Sequence, residues 1–440
     1  MKRTKYNLSN YRLVSSQLGR LTPLNFLEVL PGDTFQGSTT ALIRLAPLVS
    51  PVMHPVRFTI HHWFVPWRLV WDQWDDFITV TDDETITLPE RDLLVNALST
   101  DHFARLPDYF GVPRQASLNF SDPAKMNLLP LRAYNLIWNE WYRDNDLQSE
   151  LSLDNVFIQS VDWKKDRFTT ARETPQTGNA VTVPVTGPIT VETLRQAFAA
   201  QKFRELRSRY GSRYVEYLRS LGVTPSDARL QRPEFLGGGS QTIQFSEVLQ
   251  TSETSGTAQG NMAGHGIAAV RSNSYRRFFS EHGLVLTLGF ARPINMYSSG
   301  MPRLMYKRFS DDFWRKELEH VGQQPIAEAE LAVGDSDSDA TLRSAWGYQD
   351  RYDEYRHEQS RALCQFSTNV PQSYIGSFYN WSFSRNFATP PAFSWSLVSC
   401  DPRTDAFAQQ GNFEHRLAIM SHNRTISRRL VGGAQPRLAL

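Results

Sequence analysis

Residues Pro31–Pro66 read PGDTFQGSTTALIRLAPLVSPVMHPVRFTIHHWFVP. Pro31-Gly32-Asp33 is a turn signal, and the run Thr34–Val49 behind it is rich in Thr, Leu and Ile, which suit a pleated strand. Pro51 and Pro55 break that strand. In Val56–Val65, the side chains of Val56, Phe58, Ile60, His62 and Phe64 share one face at period two, and Pro66 ends the run. Two proline-bounded strands in 36 residues make the chain mainly β. Further along, Gly283–Phe290 (GLVLTLGF), ending at Pro293, reads as a strand. So do Thr242–Leu249, the aromatic runs Tyr374–Phe383 and Phe393–Val398, and Phe413–Ile426.

Helical signals are fewer. Trp67, Trp71 and Trp74 follow i, i+4, i+7 and predict a short helix over Trp67–Phe77. Pro130 opens a second helix, with Leu131, Tyr134, Trp138 and Trp141 on one face, ending near Asp144. Phe203, Leu206, Tyr210, Tyr214, Tyr217 and Leu221 predict a third. Asp311–Leu318 reads as a helical turn and Gly237–Ser240 as a hinge. Surface loops are expected at 166–190, at Thr251–Gly266 and in the acidic stretch 328–340. The Trp-rich segments Trp63–Trp74 and Trp138–Trp141 read mainly as core, with anchors of a protein interface as the other reading.

The 440 residues are 40% hydrophobic and 21% charged, enough apolar material for a sizeable core and against disorder. Length alone suggests two or three domains, although all-β domains with long insertions stay single. Two cysteines, Cys364 and Cys400, are too few for a disulfide scaffold, so free thiols in a reducing cytoplasm are expected. Neither a signal peptide nor an apolar run long enough to span a membrane is visible, so no membrane insertion is expected. Net charge is +2 but unevenly placed. Residues 1–20 carry Lys2, Arg3, Lys5, Arg12 and Arg20, and residues 416–440 carry Arg416, Arg424, Arg428, Arg429 and Arg437, with no acid in either stretch. The ends hold +10 and the rest, with 37 basic and 45 acidic residues, −8. This fits basic arms that meet a polyanion, and equally termini whose charge is simply solvated. Tyr6 and Tyr11 lie among these cations and could stack on unpaired bases or pack against a neighbouring subunit.

Motifs for catalysis are absent or incomplete. Gly264-His265-Gly266-Ile267-Ala268-Ala269 has dinucleotide-loop spacing, but a Ser/Thr/Gly loop precedes it where an apolar strand is needed. Asp335, Asp337 and Asp339 begin like a calcium loop, yet the positions for Gly and Glu hold Ala340 and Trp346. His54, His61 and His62 lack a carboxylate or thiolate at useful spacing, and alternation puts His61 and His62 on opposite faces. Asp75-Asp76 and Asp311-Asp312 lack the opposed geometry of acid/base pairs. No nucleophile elbow, zinc-protease helix or P-loop lysine occurs, nor two histidines flanking one apolar residue as a DNA-nicking enzyme needs. No enzyme activity, cofactor or metal is therefore expected.

Three stretches resemble the major capsid proteins of the Microviridae, nearest to the gokushovirus-like branch: Asn7–Phe77, Leu129–Asp144 (LPLRAYNLIWNEWYRD) and Gly283–Ile326 (GLVLTLGFARPINMYSSGMPRLMYKRFSDDFWRKELEHVGQQPI). They cover about a third of the chain, and 145–282 and 327–410 carry no clear counterpart. The resemblance implies a mainly β fold, a single eight-stranded jelly-roll β-sandwich with large inter-strand insertions containing helices. It divides the chain into a basic N-terminal arm (1–27), a capsid domain (28–426) with insertions at about 66–240, 251–270 and 297–370, and a basic tail (427–440). It implies self-assembly into a T=1 icosahedral shell around circular single-stranded DNA. Lys2, Arg3, Lys5, Arg12, Arg20, Arg424, Arg428, Arg429 and Arg437 would face the interior and touch DNA non-specifically. Implied partners are a minor DNA-pilot protein, an internal or scaffolding protein and a host-cell surface receptor. A threefold projection is expected within 145–240 or 251–270. The protein would reside in the virion after synthesis and assembly in the host bacterial cytoplasm. A β-sandwich spike that binds a host surface is the alternative, and its need for two basic ends is hard to see.

Overall fold

A computed structural model describes residues 3–79, 86–92, 105–112, 125–175, parts of 192–230, 231–249, 262–319, 322–334, 337–367, 378–408 and 415–431. The strands are β1 (Thr4–Asn7), β2 (Asn10–Ser16), β3 (Thr22–Val29), β4 (Thr34–Leu45), β5 (Val56–Pro66), β6 (Glu90–Asp92) and β7 (Lys125–Asn127). Then come β8 (Glu234–Leu249), β9 (Met262–Arg271), β10 (Tyr275–Phe278), β11 (Gly283–Pro293), β12 (Gln323–Ala327), β13 (Ala345–Asp350) and β14 (Leu417–Arg429). Ten of them form one curled antiparallel sheet in the order β1-β14-β4-β9-β8-β5-β11-β3, with β2 also on β14 and β10 also on β4. β6–β7 and β12–β13 are separate pairs. The main helices are α1 (Trp74–Thr79), α2 (Leu106–Tyr109) and α3 (Leu129–Trp141).

The sheet curls because β8 serves both halves. Its first part pairs with β5 through Ile243, and its second part pairs with β9 from Gln244 onward. Gly237–Gly239 make the bend: Gly237 has φ +135°, and a Cβ on Gly239 would sit 2.6 Å from the Arg271 carbonyl oxygen. The stretch read as a hinge is thus a strand bend. The two halves face each other across a core in which Ile43, Ile419, Ala268 and Val270 meet Phe58, Ile60 and Ala291.

The period-two reading of β5 matches the packing. Val56, Phe58 and Ile60 point into that core and Phe64 into an adjoining cluster, while Trp63 and Val65 point the other way. β11 is apolar along most of its length because both of its faces are covered: Leu284, Leu286, Leu288 and Phe290 meet α3 and its neighbours, and Val285 and Ala291 meet the inner core. α3 buries Leu131, Tyr134, Ile137 and Trp138 against this outer face. The Tyr134 hydroxyl donates to the Leu21 carbonyl (2.8 Å), and Trp138 Nε1 donates to the Ser160 carbonyl (2.7 Å). Most of the indoles are core: Trp63, Trp67 and Trp138 are buried, with Trp71, Trp74 and Trp141 packed on them.

Several local expectations differ from the structure. Within the stretch 1–27 read as an arm, residues 4–7, 10–16 and 22–27 belong to the paired strands β1, β2 and β3, with Lys5 opposite Arg428 and Tyr11 opposite His422. The helix expected over Trp67–Phe77 is a turn at Trp67–Leu69 followed by α1, and the Trp67 amide donates to the His282 carbonyl (3.1 Å). Phe393–Val398 ends in a short helix, Trp395–Val398. Of its two aromatic residues, Phe393 is half-buried and stacks on Trp346 at 4.4 Å, while Trp395 is 63% exposed. The loop expected up to Gly266 is already strand from Met262. Asp311–Leu318 holds two short 3-10 turns, Ser310–Asp312 and Lys316–Leu318. Nearly all of the expected helix 203–221 and all of 176–191 and 250–261 lie outside the described residues.

Two positions in this layer give direct tests. Gly19 has φ +76°, and a Cβ there would lie 2.1 Å from the Cys400 carbonyl oxygen. Its amide donates to Ala291 and its carbonyl accepts from Val161, so it cannot retreat. Gly19→Ala is expected to lower stability by about 3 kcal/mol or more, measurable by denaturant titration. Asp162 lies beside it in the fold, accepting from Gln148 Nε2 at 2.9 Å, and burial pushes its carboxyl up to about 7. Because the folded state favours the protonated form, this group's contribution is fully present below about pH 4 and is lost as pH rises through about 7. Asp162→Asn keeps an acceptor for Gln148 and removes that loss. It should raise stability at pH 8 by on the order of 2 kcal/mol and leave it unchanged near pH 4 in paired melts.

Candidate nucleic-acid interface

The β5–β11 half of the sheet is covered by α3 and its neighbours, whereas the β14–β4–β9 half shows its outer face to solvent. Alternation decides what that face carries. Across the register, Ser15, Ala418 and Arg44 form one row; Leu13, Met420, Leu42 and Ala269 the next; Tyr11, His422, Thr40 and Arg271 the next. Arg424 with Ser38, and Asn7 with Ile426, Gln36 and Arg276, continue it, and Lys5, Arg428, Thr34 and Phe278 end it. Four strands abreast, spaced about 4.8 Å apart, make this face roughly 15–20 Å wide, and β14 at about 3.4 Å per residue makes it about 40 Å long.

The cations on it are Arg3, Lys5, Arg44, Arg271, Arg276, Arg424 and Arg428, and no Asp or Glu occurs among the described residues of these rows. Such a face attracts a polyanion and has no internal charge to neutralise it. Flat apolar and aromatic groups lie between the cations. Tyr11 is 70% exposed and stacks on His422 at 4.3 Å with the planes 9° apart, and Leu13 is 84% exposed. Arg3 lies 4.9 Å from the Phe278 ring and donates to Thr34 Oγ1 at 3.3 Å. Guanidinium groups for phosphate and ring faces for bases are the two elements that hold single strands without reading sequence.

The residues singled out from the sequence separate here. Arg3, Lys5, Arg424 and Arg428 are exposed on the open face. Arg12 points to the other side, 4.1 Å over the Phe26 ring, where burial lowers its pKa. Arg20 sits in an isolated bridge with Ser160. Arg429 also faces the other way, ion-paired to the fully buried Asp33 at 2.9 Å, with its guanidinium 5.2 Å from the Phe35 ring. Burial pushes the Asp33 carboxyl up, against hydrogen bonding and Arg429, which draw it down. Lys2 and Arg437 lie outside the described residues. Of the two tyrosines, Tyr11 is on the face, and Tyr6 turns away to donate to the Val431 carbonyl at 2.9 Å.

The family model for the capsid protein (F protein) of phages matches residues 1–191 and 164–436. The chain belongs to that family. It is 29% identical to capsid protein VP1 of Bdellovibrio phage phiMH2K over 90% of this chain and 87% of that one. With capsid protein VP1 of Chlamydia phage 1 it shares 26%, over 92% and 90%, and with that of Spiroplasma virus 4 it shares 24%, over 96% and 91%. It is a major capsid protein of the gokushovirus-like Microviridae type, a component of the virion, from a family of shell subunits and not of enzymes.

The remaining motifs find structural roles in this capsid protein. His61 bonds the Tyr142 hydroxyl at 2.7 Å, and His62 sits between Thr287 Oγ1 and Ser272 Oγ, each at 2.9 Å. They lie on opposite faces of β5, as alternation requires. Burial lowers His61 to about 4, with help from Arg292, and His62 to about 3. Gly264 and Gly266 belong to β9, packed closely against Leu48 and Leu45 of the adjoining segment. Cys364 is exposed and Cys400 buried, both free thiols. No helix among the described residues is long and apolar enough to cross a membrane. Sequence reasoning missed Arg44, Arg271 and Arg276, which lie far from either end of the chain. The signal for Arg44 was present in β4, whose even positions Gln36, Ser38, Thr40, Leu42 and Arg44 form a solvent-facing row.

Proposed function

We propose that copies of this chain assemble into a T=1 icosahedral shell around a circular single-stranded DNA genome, with the open face of the β14–β4–β9 half turned inward onto the DNA. The single observation that carries this is a sheet face with seven cations and no described carboxylate, on a chain of the capsid family. The curled sheet, with β8 passing between its halves, is an elaborated jelly roll in this reading, and the N-terminal arm is its outermost strands. Arg3, Lys5, Arg424 and Arg428 make the DNA contacts expected from the sequence, joined by Arg44, Arg271 and Arg276. Lys2 and Arg437 would extend the same basic surface. Arg12, Arg20 and Arg429 serve the fold instead. The chain performs no catalysis. A DNA-pilot protein, an internal or scaffolding protein and a host receptor are its further partners, and assembly takes place in the host cytoplasm. Electron microscopy of the expressed chain, with its partner proteins where needed, should show small uniform shells that hold nuclease-protected single-stranded DNA. A protein that stays monomeric under those conditions would overturn the reading.

A further inference from the structure

The segment from Arg303 to Trp314 leaves Leu304, Met305, Phe309, Phe313 and Trp314 exposed by 66, 70, 66, 48 and 51%. Tyr355, 55% exposed, joins them through Lys307, whose ammonium lies 4.4 Å from the Tyr355 ring and 5.6 Å from the Phe313 ring. At about 200 Å² for each large side chain, these six place roughly 700 Å² of mostly apolar surface in water. The total approaches the ~800 Å² that one partner brings to a standard interface.

The local charges are matched within the chain. Arg308 pairs with Asp339 at 2.8 Å and Arg315 with Asp311 at 3.0 Å, so the patch has none of the unbalanced positive charge of the sheet face. Trp, Phe, Tyr, Met and Arg are the residue types that fill the centres of protein interfaces. The patch is also held in place from below: Arg303 pairs with Glu330 at 3.1 Å and Glu354 at 3.3 Å, and Arg343 donates to the Tyr306 carbonyl at 2.8 Å. A surface fixed before contact loses little conformational freedom on binding.

We propose that this patch is a contact between copies of the chain, and that its occupant is a second copy within the shell. The inference rests on the shell reading above and names one surface that builds it. Charge-matched apolar area of this size suits a permanent protein contact, and the chain's family supplies identical copies as neighbours. An icosahedral shell offers both kinds of seat: about its fivefold and threefold axes the patch would meet a different surface of the neighbour, and about its twofold axes the same patch of a second copy.

The test compares the full-length wild type with Phe309→Ser/Trp314→Ser by sedimentation, microscopy and hydrogen exchange. The double variant should melt like the wild type, since both side chains are half or more in water, and should lose at least tenfold in particle yield. In wild-type particles, amides of 303–315 should exchange more slowly than in dissociated subunits. Normal particle yield, or equal exchange in particles and subunits, overturns the proposal. Normal particles that no longer bind cells or lack a minor protein also overturn it, and assign the patch to that partner. Should the double variant fail to fold, the wild-type exchange comparison decides alone. A wild type that makes no particles overturns the shell reading itself, and this inference falls with it.

Discussion

Replacing Arg44, Arg271, Arg424 and Arg428 together by Gln is expected to give shells that form in normal yield and are nearly empty of DNA. All four side chains point away from the core and are exposed, and none makes an ion pair among the described residues. Surface changes of this kind typically alter stability by less than about 0.5 kcal/mol each, so the subunit should fold and melt normally. DNA affinity should respond differently. Each cation that neutralises a phosphate contributes about 0.7 to the slope of log affinity against log salt for single strands, so four losses should flatten it by about 3. Measured as nuclease-protected nucleotide per particle, the loss should be severalfold or more at physiological salt. Arg429→Gln is the matched control. It strands the buried Asp33, at a cost of about 3 kcal/mol, and should lower the melting temperature while the DNA content of surviving particles stays near normal. If the fourfold variant packages a full genome, the open face does not meet DNA.

Much of this architecture could be read from local pattern. β5 and β11 were legible because proline bounds them and because period two, or a short continuous apolar run between breakers, suits a strand far better than a helix. α3 was legible because Pro130 opens it and four large side chains recur on one face. The face of the sheet was legible only in part. Clustered charge at the two ends of the chain is visible in one dimension, so Arg3, Lys5, Arg424 and Arg428 stood out. Arg44 reaches the same surface through the pairing of β4 with β14, and Arg271 through that of β4 with β9, each a contact across more than two hundred residues. The opposite error has the same source: Arg12 and Arg429 belong to the basic ends, but strand alternation turns both towards the inner side. Net charge by segment cannot see which side of a strand a residue takes.

Glu330→Ala is expected to be among the most damaging single changes outside the sheet. The acidic stretch 328–340 looks like a solvated loop, yet Glu330 is 3% exposed. Arg167 Nη2 lies 3.1 Å from Oε2 and donates to Oε1 at 3.3 Å, and Oε1 also takes Arg303 at 3.1 Å and the Tyr306 hydroxyl. Arg167 is itself 2% exposed, and its further acidic neighbours, Glu354 at 3.5 Å and Asp353 at 3.9 Å, are more distant. Removing the carboxylate therefore leaves two buried guanidinium groups facing a hole, a loss of about 3–5 kcal/mol. Glu330→Gln keeps the volume and an acceptor and should cost roughly half as much. Because Arg167, Arg303 and Glu354 come from three separate segments outside the sheet, the damage should be local before it is global. Protease cleavage within 300–360 should appear while the sheet core still melts cooperatively. Particle yield should then fall with Glu330→Ala even though Glu330 touches no neighbour, because the apolar patch at 304–314 loses the support beneath it. Stability within about 1 kcal/mol of the wild type and an unchanged cleavage pattern would show that Glu354 and Asp353 hold Arg167 unaided, and that the patch stands without Glu330.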